Sequence, residues 1–427
     1  MGSHDQHQSS GTPDTCLFVI YSLKLYVGLD LCERGSLRQN VSAPILVAAR
    51  SFPPSVEAGG STVAYNLFRR IAPLDYAVIR GDLFPQDQEL SLPATTWVWD
   101  IWPRRYQYTR FSIILVPLLV AKILGVCHKL KPRHLLLFYP FDFYAIAGWI
   151  ASHLLHLPYS VYYYDTWEES QINLLQKLAA HFFEPLLTLK ALNVFVISPA
   201  LEKHFQKKYN IKPVPILHPL SFERFTPLVR YQFGNKDIYR IVHTGNVSKL
   251  NLDSVEDLIQ AVRMVNSPRI EIDFYTGQSP DVLKRMLGIR SSDAIRIRFI
   301  PTAEIASVQQ NADFLFVGLA FSGLDEFTLA TTFPTKFVEY LTAGQPILVH
   351  APAQSYLAEF VQKHQCAELI DQPGIKPLQT ALLNLIANPE RALSLSQKAV
   401  QVASLFEDHK QVGLFAQKLG MTMREVN

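Results

Sequence analysis

Short apolar runs alternate along this chain with longer stretches whose apolar residues recur every three or four positions. Ile45-Leu46-Val47-Ala48-Ala49 has the length and uniform apolarity of a buried strand. After Phe52-Pro53-Pro54 and Gly59-Gly60-Ser61, residues 63–71 take up a helical period. The change of period then repeats. Residues 113–129 read as helix and 133–138 as strand, 143–155 as helix and 159–164 as strand, 174–192 as helix and 194–198 as strand. Unbroken apolar strands between helices predict a parallel sheet covered on both faces.

The alternation pauses at 212–231, where Pro213, Pro215, Pro219 and Pro227 mark a linker. A second series follows. Strands are predicted at 239–244, 270–275, 295–300 and 314–318, and helices at 254–264, 280–287 and 302–310. A long loop runs from there to Phe333. Two further helices are predicted near the C-terminus, at 389–406 and 407–419. A length of 427 residues suits two such domains.

The segment from Phe333 to Pro346 adds candidate chemistry. Thr335 is placed to cap a helix by accepting from its first amides. Gly344 can take the left-handed turn that ends it, and Pro346 prevents continuation. A helix N-terminus gathers unpaired N–H groups at a positive dipole end, which suits a phosphate. One turn in, Glu339 offers a carboxylate to a pair of adjacent hydroxyls, as on a ribose. The plainer alternative is that Lys336 and Glu339, three residues apart, form a surface ion pair worth a few tenths of a kcal/mol.

Charge and composition narrow the function classes. A net charge of +3 gives no basis for nucleic-acid binding. Cys16, Cys32, Cys127 and Cys366 are scattered, without zinc or disulfide spacing, which suits a reducing compartment. His153 and His156 lie three apart on a predicted helix and read as surface or packing residues. Residues 1–14 are polar and read as disordered. The apolar stretch 16–31 carries Lys24 and is short for a membrane span. Between Asp100 and Asp142 there is no acidic residue, but Arg104, Arg105, Arg110, Lys122, Lys129, Lys131 and Arg133 are present, with Trp97, Trp99, Trp102, Tyr106 and Tyr108 close by. Basic residues with interfacial aromatics predict peripheral contact of 97–133 with an anionic membrane surface. A buried helix with a solvated basic end is the competing reading.

The order Pro334-Thr335-Lys336-Phe337-Val338-Glu339-Tyr340, followed by Gly344 and Pro346, closely resembles the donor-site helix of family 4 (group 1) retaining glycosyltransferases. The resemblance extends over most of 44–420. It implies the GT-B fold, an α/β architecture of two Rossmann-like domains facing each other across a cleft. Residues 1–43 would be an extension, 44–220 the acceptor-side domain, 221–403 the nucleotide-sugar domain, and 404–427 a helix crossing back to the first. Transfer of a sugar from a nucleoside-diphosphate donor to an acceptor hydroxyl with retention is implied, in surface polysaccharide or glycoconjugate synthesis. So is a cytoplasmic location, with a saccharide or lipid-linked acceptor at the inner membrane face.

The same resemblance assigns site residues. Gly59, Gly60 and Ser61 would form a loop that lets the backbone approach the donor. Gly245 and Asn246 follow the first strand of the second domain, where the family often has an Arg on the phosphates. Lys249 is the remaining cation of that loop, and Lys336 could help from the helix. Glu339 would hold the ribose. The family's second acid, eight residues earlier, is Thr331 here, so backbone amides from Ala330 to Thr332 would contact the sugar instead. Tyr164-Asp165-Thr166-Trp167-Glu168-Glu169 resembles an element of surface-polysaccharide members, with Asp165 facing the acceptor hydroxyl. The alternative for Asp165 or Thr166 is a helix cap, with Glu168 and Glu169 in the first turn. Without an Asp-x-Asp element, neither a metal nor a cofactor beyond the nucleotide sugar is expected. Two other readings stay open: a GT-B nucleotide-sugar epimerase, and a non-catalytic binding subunit.

Overall fold

The computed structural model describes residues 43–54, 58–81, 86, 88–99, 115–139, 143–169, 174–231 and 236–425. The extension 1–42 lies outside them, as do Arg104, Arg105, Arg110 and the aromatics Trp102, Tyr106 and Tyr108.

The first half runs β1 (Ile45–Ala49), α1 (Ala58–Phe68), β2 (Tyr76–Gly81), β3 (Thr95–Trp99), α2 (Val116–Leu130), β4 (His134–Tyr139) and α3 (Phe143–Leu155). It continues through β5 (Tyr159–Tyr163), α4 (Leu174–Leu189), β6 (Val194–Val196), α5 (Pro199–Tyr209) and β7 (Val214–Pro215). These strands form a parallel sheet in the order β3-β2-β1-β4-β5-β6-β7. Strand β1 shows why its run is wholly apolar. Leu46 and Ala48 enter one core with α2, α3 and α4, while Ile45, Val47 and Ala49 enter another with α1.

The second half runs β8 (Ile238–Thr244), α6 (Leu252–Arg263), β9 (Arg269–Tyr275), α7 (Pro280–Met286), β10 (Ile295–Arg298), α8 (Ile305–Gln310), β11 (Phe314–Gly318) and α9 (Glu326–Thr331). Then come α10 (Thr335–Ala343), β12 (Ile347–His350), α11 (Tyr356–His364), β13 (Glu368–Ile370), α12 (Ile375–Ala387), α13 (Pro389–Ala403) and α14 (Asp408–Leu419). Its sheet is also parallel, in the order β10-β9-β8-β11-β12-β13. In both sheets the order reverses beside the first strand, between β1 and β4 and between β8 and β11. Such switch points open a crevice at the carboxyl ends of the strands.

The chain passes between the sheets twice, and the two passages pair. Leu220 donates its amide to the Phe406 carbonyl (2.7 Å), and the Asp408 amide donates to the Leu220 carbonyl (3.0 Å). Helix α14 then buries Val412, Phe415, Ala416 and Leu419 in the core of the first sheet. A charge cluster closes the junction. Arg69 and Arg70, at the end of α1, both pair with Glu223 and with the buried Asp408. Asn66 adds a 2.8 Å bond to the Pro219 carbonyl.

From Val116 onward the apolar run forms α2, whose inner face is core. In α2, Leu119, Val120, Ile123 and Cys127 are buried against the sheet, and Lys122 is exposed. Among the described residues, no helix is long and apolar enough to cross a membrane. The predicted loop from 318 to 333 contains α9, whose Asp325 cap accepts from the Thr328 amide (2.8 Å). The predicted linker contains the short β7, paired with β6.

Candidate active site

Helix α10 brings the site together. Pro334 holds the cap position with extended backbone, so Thr335 is the first helical residue and not the cap. The proline ring fixes φ and sets the start one residue earlier than expected. No side chain caps this end; among its first amides, that of Phe337 donates to the Pro334 carbonyl (3.0 Å). At the other end Gly344 takes φ +71. A Cβ there would lie 1.9 Å from the Leu228 carbonyl, and the Gly344 carbonyl accepts from the Arg230 and Tyr231 amides at 2.9 Å each. The helix is thereby docked onto the segment that follows the crossing.

Its buried face fixes it laterally. Phe337, Val338, Tyr340 and Leu341 pack into the core. The Tyr340 hydroxyl accepts from the Thr244 amide (2.8 Å) and meets Thr244 Oγ1 at 3.2 Å. This pins α10 to the carboxyl end of β8, beside the switch point.

The surface ion pair between Lys336 and Glu339 gives way to other partners. Lys336 Nζ donates to His243 Nε2 at 3.0 Å. His243 is buried, and its Nδ1 lies 3.1 Å from the Phe316 carbonyl, to which it must donate. Gly245 follows at φ +87, and a Cβ on it would stand 3.4 Å from Lys336 Cε and 3.5 Å from Nζ. The glycine thus leaves the ammonium open on that side. Burial pulls the Lys336 pKa down to about 7, against an opposing pull from the Glu339 charge. Glu339 accepts from Gln309 Nε2 at 3.0 Å. Burial raises its pKa, opposed by the Gln309 bond and the charges of Arg224 and Lys336.

The other expected donor-side residues fall differently. Asn246 is exposed beside Gly245, and its Oδ1 accepts from Thr276 Oγ1 (3.0 Å). Lys249 is exposed in the turn before α6. Thr331 closes α9, where its hydroxyl donates to the Phe327 carbonyl (2.9 Å). The Thr332 amide is committed to the Thr328 carbonyl (2.9 Å), so it is not free for a sugar, contrary to expectation. The unpredicted helix α9 consumes that amide.

On the first sheet, Gly59, Gly60 and Ser61 belong to the first turn of α1 and not to a loop. Glycine costs a helix about 1 kcal/mol, which tertiary packing readily outweighs. Here a Cβ on Gly60 would stand 3.3 Å from the Tyr164 ring, and Ser61 Oγ lies 3.3 Å from Ser51 Oγ. Asp165 follows Tyr164, exposed beyond the carboxyl end of β5, with Oδ1 accepting from the Thr166 amide (2.8 Å). The capping alternative does not hold, because residues 167–169 form bends and a turn and no helix follows Asp165 or Thr166 directly.

Glu168 and Glu169 instead anchor this segment. Lys208 Nζ sits between Glu168 (2.9 Å), Glu169 (2.7 Å) and the buried Glu184 (2.7 Å). The Glu184 carboxylate also accepts from the Trp167 and Glu168 amides, at 2.8 Å each. These three acids are the one carboxylate group among the described residues close enough to hold a metal ion, and the ammonium already lies among them. His204 pairs with Glu169 (3.3 Å), and its ring meets Phe327 of α9, with centroids 4.6 Å apart. This contact joins the two halves near the site. Sequence reading missed His243, Gln309, Tyr340 and the Lys208 cluster. Only Tyr340, inside the donor-helix motif, carried a local signal.

Two doubly wound parallel sheets, joined by paired crossings and by a C-terminal helix returned to the first, constitute the GT-B fold. Solved structures share it. Sucrose-phosphate synthase from Thermosynechococcus elongatus is similar with a TM-score of 0.64 at 16% identity, over 88% of this chain and 98% of that one. HepE of Anabaena, solved in complex with UDP-glucose, is similar with a TM-score of 0.63 at 15% identity, over 88% and 99%. The lipopolysaccharide outer core galactosyltransferase WaaB is similar with a TM-score of 0.57 at 13% identity, over 88% and 99%. No protein-family profile matches the chain, and no curated protein sequence matches it.

Proposed function

We propose that this protein is a glycosyltransferase that moves a hexose-type sugar, with retention, from a nucleoside-diphosphate donor to an acceptor hydroxyl. The observation that carries the reading is the convergence of Gly245, Lys336 and Glu339 at the open N-terminus of α10, beside the switch point of the second sheet. Residues 221–403 would bind the donor and 44–220 the acceptor. The diphosphate would rest over Gly245 and the first amides of α10, neutralised by Lys336 and by Lys249 from the adjoining turn. Negative charge grows on the leaving phosphate as the glycosidic bond breaks, and cations aimed at it lower the barrier. Glu339, held by Gln309, would accept from the ribose hydroxyls. Asp165 would orient the acceptor hydroxyl, while the leaving phosphate takes its proton on the same face of the sugar. No metal is required in this scheme.

The basic, aromatic stretch 97–133 supports a lipid-linked acceptor in surface polysaccharide or glycoconjugate synthesis at the cytoplasmic membrane face. Arg104→Glu, Arg105→Glu and Arg110→Glu together should release the protein from phosphatidylglycerol vesicles in a flotation assay. Unchanged flotation removes the membrane part of the reading.

One observation favours a binding subunit without transfer. Asn246 and Thr331 replace the expected cation and acid, and both are engaged internally. Incubation with UDP-glucose, GDP-mannose and ADP-glucose separates the two. A transferase releases nucleoside diphosphate, slowly to water or faster to acceptor, and Glu339→Ala suppresses the release. A binding subunit shows ligand-induced stabilisation and no release.

A further inference from the structure

We propose that the outer face of α4 is a docking surface for an anionic lipid bilayer, on which the helix lies in the plane of the headgroups. The inference concerns a different surface from 97–133, and it does not depend on the donor-site reading.

Helix α4 uses only part of its circumference to cover the first sheet. Ala180, Glu184, Leu187 and Thr188 are buried, and Ala180 and Leu187 enter the core shared with α2 and α3. On the other side Leu174, Leu178, Phe182 and Leu189 are between 55% and 71% exposed. At about 3.6 residues per turn these four fall within an arc of roughly 80° and run along about 22 Å of the helix. Leu192, just past the helix, is also largely exposed. Scattered apolar residues on a surface need no explanation, but a continuous row of large ones marks an interaction site. The row occupies one side of the helix, so it suits lying on a bilayer and not crossing it.

Charge selects the partner. Helices α2, α3 and α4 cover one face of the first sheet, and α3 packs against both of the others. Glu184 is the sole carboxylate on these three helices, and it is buried against Lys208. The exposed cations are Lys177 on α4, Lys190 directly after it, and Lys122 and Lys129 on α2. Glu168, at the edge of α4, is already paired with His181 and Lys208. Beside the end of α4 lies an open recess of about 550 Å³, with His153, His156 and Lys190 among its lining and no acid. Lysine stems can lie along an apolar row while the ammonium groups reach outwards. That arrangement matches the boundary between acyl chains and anionic headgroups. A second copy of this chain would set lysines against lysines, with no free acid on these helices to pair them.

Flotation of the full chain with phosphatidylcholine vesicles, and with vesicles that also contain phosphatidylglycerol, tests this surface. The wild type should bind the mixed vesicles about tenfold or more tightly than phosphatidylcholine alone. Leu178→Glu with Phe182→Glu should weaken binding to the mixed vesicles about tenfold or more. Lys177→Glu with Lys190→Glu should remove the preference for phosphatidylglycerol. All four side chains are exposed, so both variants should melt with the wild type. Binding that survives Leu178→Glu with Phe182→Glu overturns the inference; its loss in Arg104→Glu, Arg105→Glu and Arg110→Glu then assigns the contact to 97–133. A wild type that floats with neither vesicle overturns both membrane contacts. A wild-type dimer in sedimentation, dissociated by Leu178→Glu with Phe182→Glu, makes the row an interface between copies and overturns the inference as well. If the Leu178 and Phe182 variant does not fold, the lysine variant still decides. Titration with UDP-glucose reads the donor site separately, so neither failure is mistaken for the other.

Discussion

At the residue scale, Glu339 and Lys336 owe their proposed chemistry to where α10 begins. The half-buried carboxylate accepts one side-chain hydrogen bond, from Gln309, and has acceptor capacity left for a diol. Glu339→Ala should cost about 2 kcal/mol of nucleotide-sugar affinity, read by titration, with thermal stability nearly unchanged. Gln309→Ala should give a smaller loss in the same assay. The motif made Glu339 and Lys336 legible because both lie within one short segment. Their partners were not legible: His243 is 93 positions from Lys336, and Gln309 is 30 from Glu339. Only the pairing of β8 with β11, and the packing of α8 beside α10, brings them together. The same limit applies to Lys208, which gathers three acids from α4 and the β5 loop.

At the scale of elements, local chemistry was read well where it was self-contained. Strands β1 and β11 and helix α3 appear within the predicted bounds. The stop of α10 at Gly344 was also legible, since a left-handed residue before a proline leaves few options. The starts of α1 and α10 were not. In one case glycines turn helical under packing from Tyr164, and in the other a proline takes the cap. Gly344→Ala tests the docking of α10. The added methyl meets the Leu228 carbonyl and sits at an unfavourable φ, so unfolding free energy should drop by roughly 3 kcal/mol in urea titration. A loss below about 0.5 kcal/mol would show that the 228–231 segment yields freely.

Over the whole molecule, the repeated alternation of strand and helix made two parallel sheets legible, but not the way they are tied. The tie is the junction of Arg69 and Arg70 with Glu223 and Asp408, contributed by three distant segments. Asp408→Ala leaves two guanidinium groups short of a buried partner and should destabilise by about 3–5 kcal/mol. Acid should loosen the molecule too. Burial lowers His218, beside the crossing, to about 4, and burial together with the Arg133 charge does the same to His134. Both are neutral when folded, so the unfolded chain binds protons first as pH falls below about 6.5. Stability should be full above that point, decline steadily towards pH 4, and decline less in His218→Leu. The donor site is tested most directly by titration of wild type and Glu339→Ala with UDP-glucose, GDP-mannose and ADP-glucose. The wild type should bind at least one of them saturably, and Glu339→Ala should weaken that binding at least tenfold. Absence of binding to the wild type, or equal binding to both proteins, would rule out Glu339 as part of a nucleotide-sugar site.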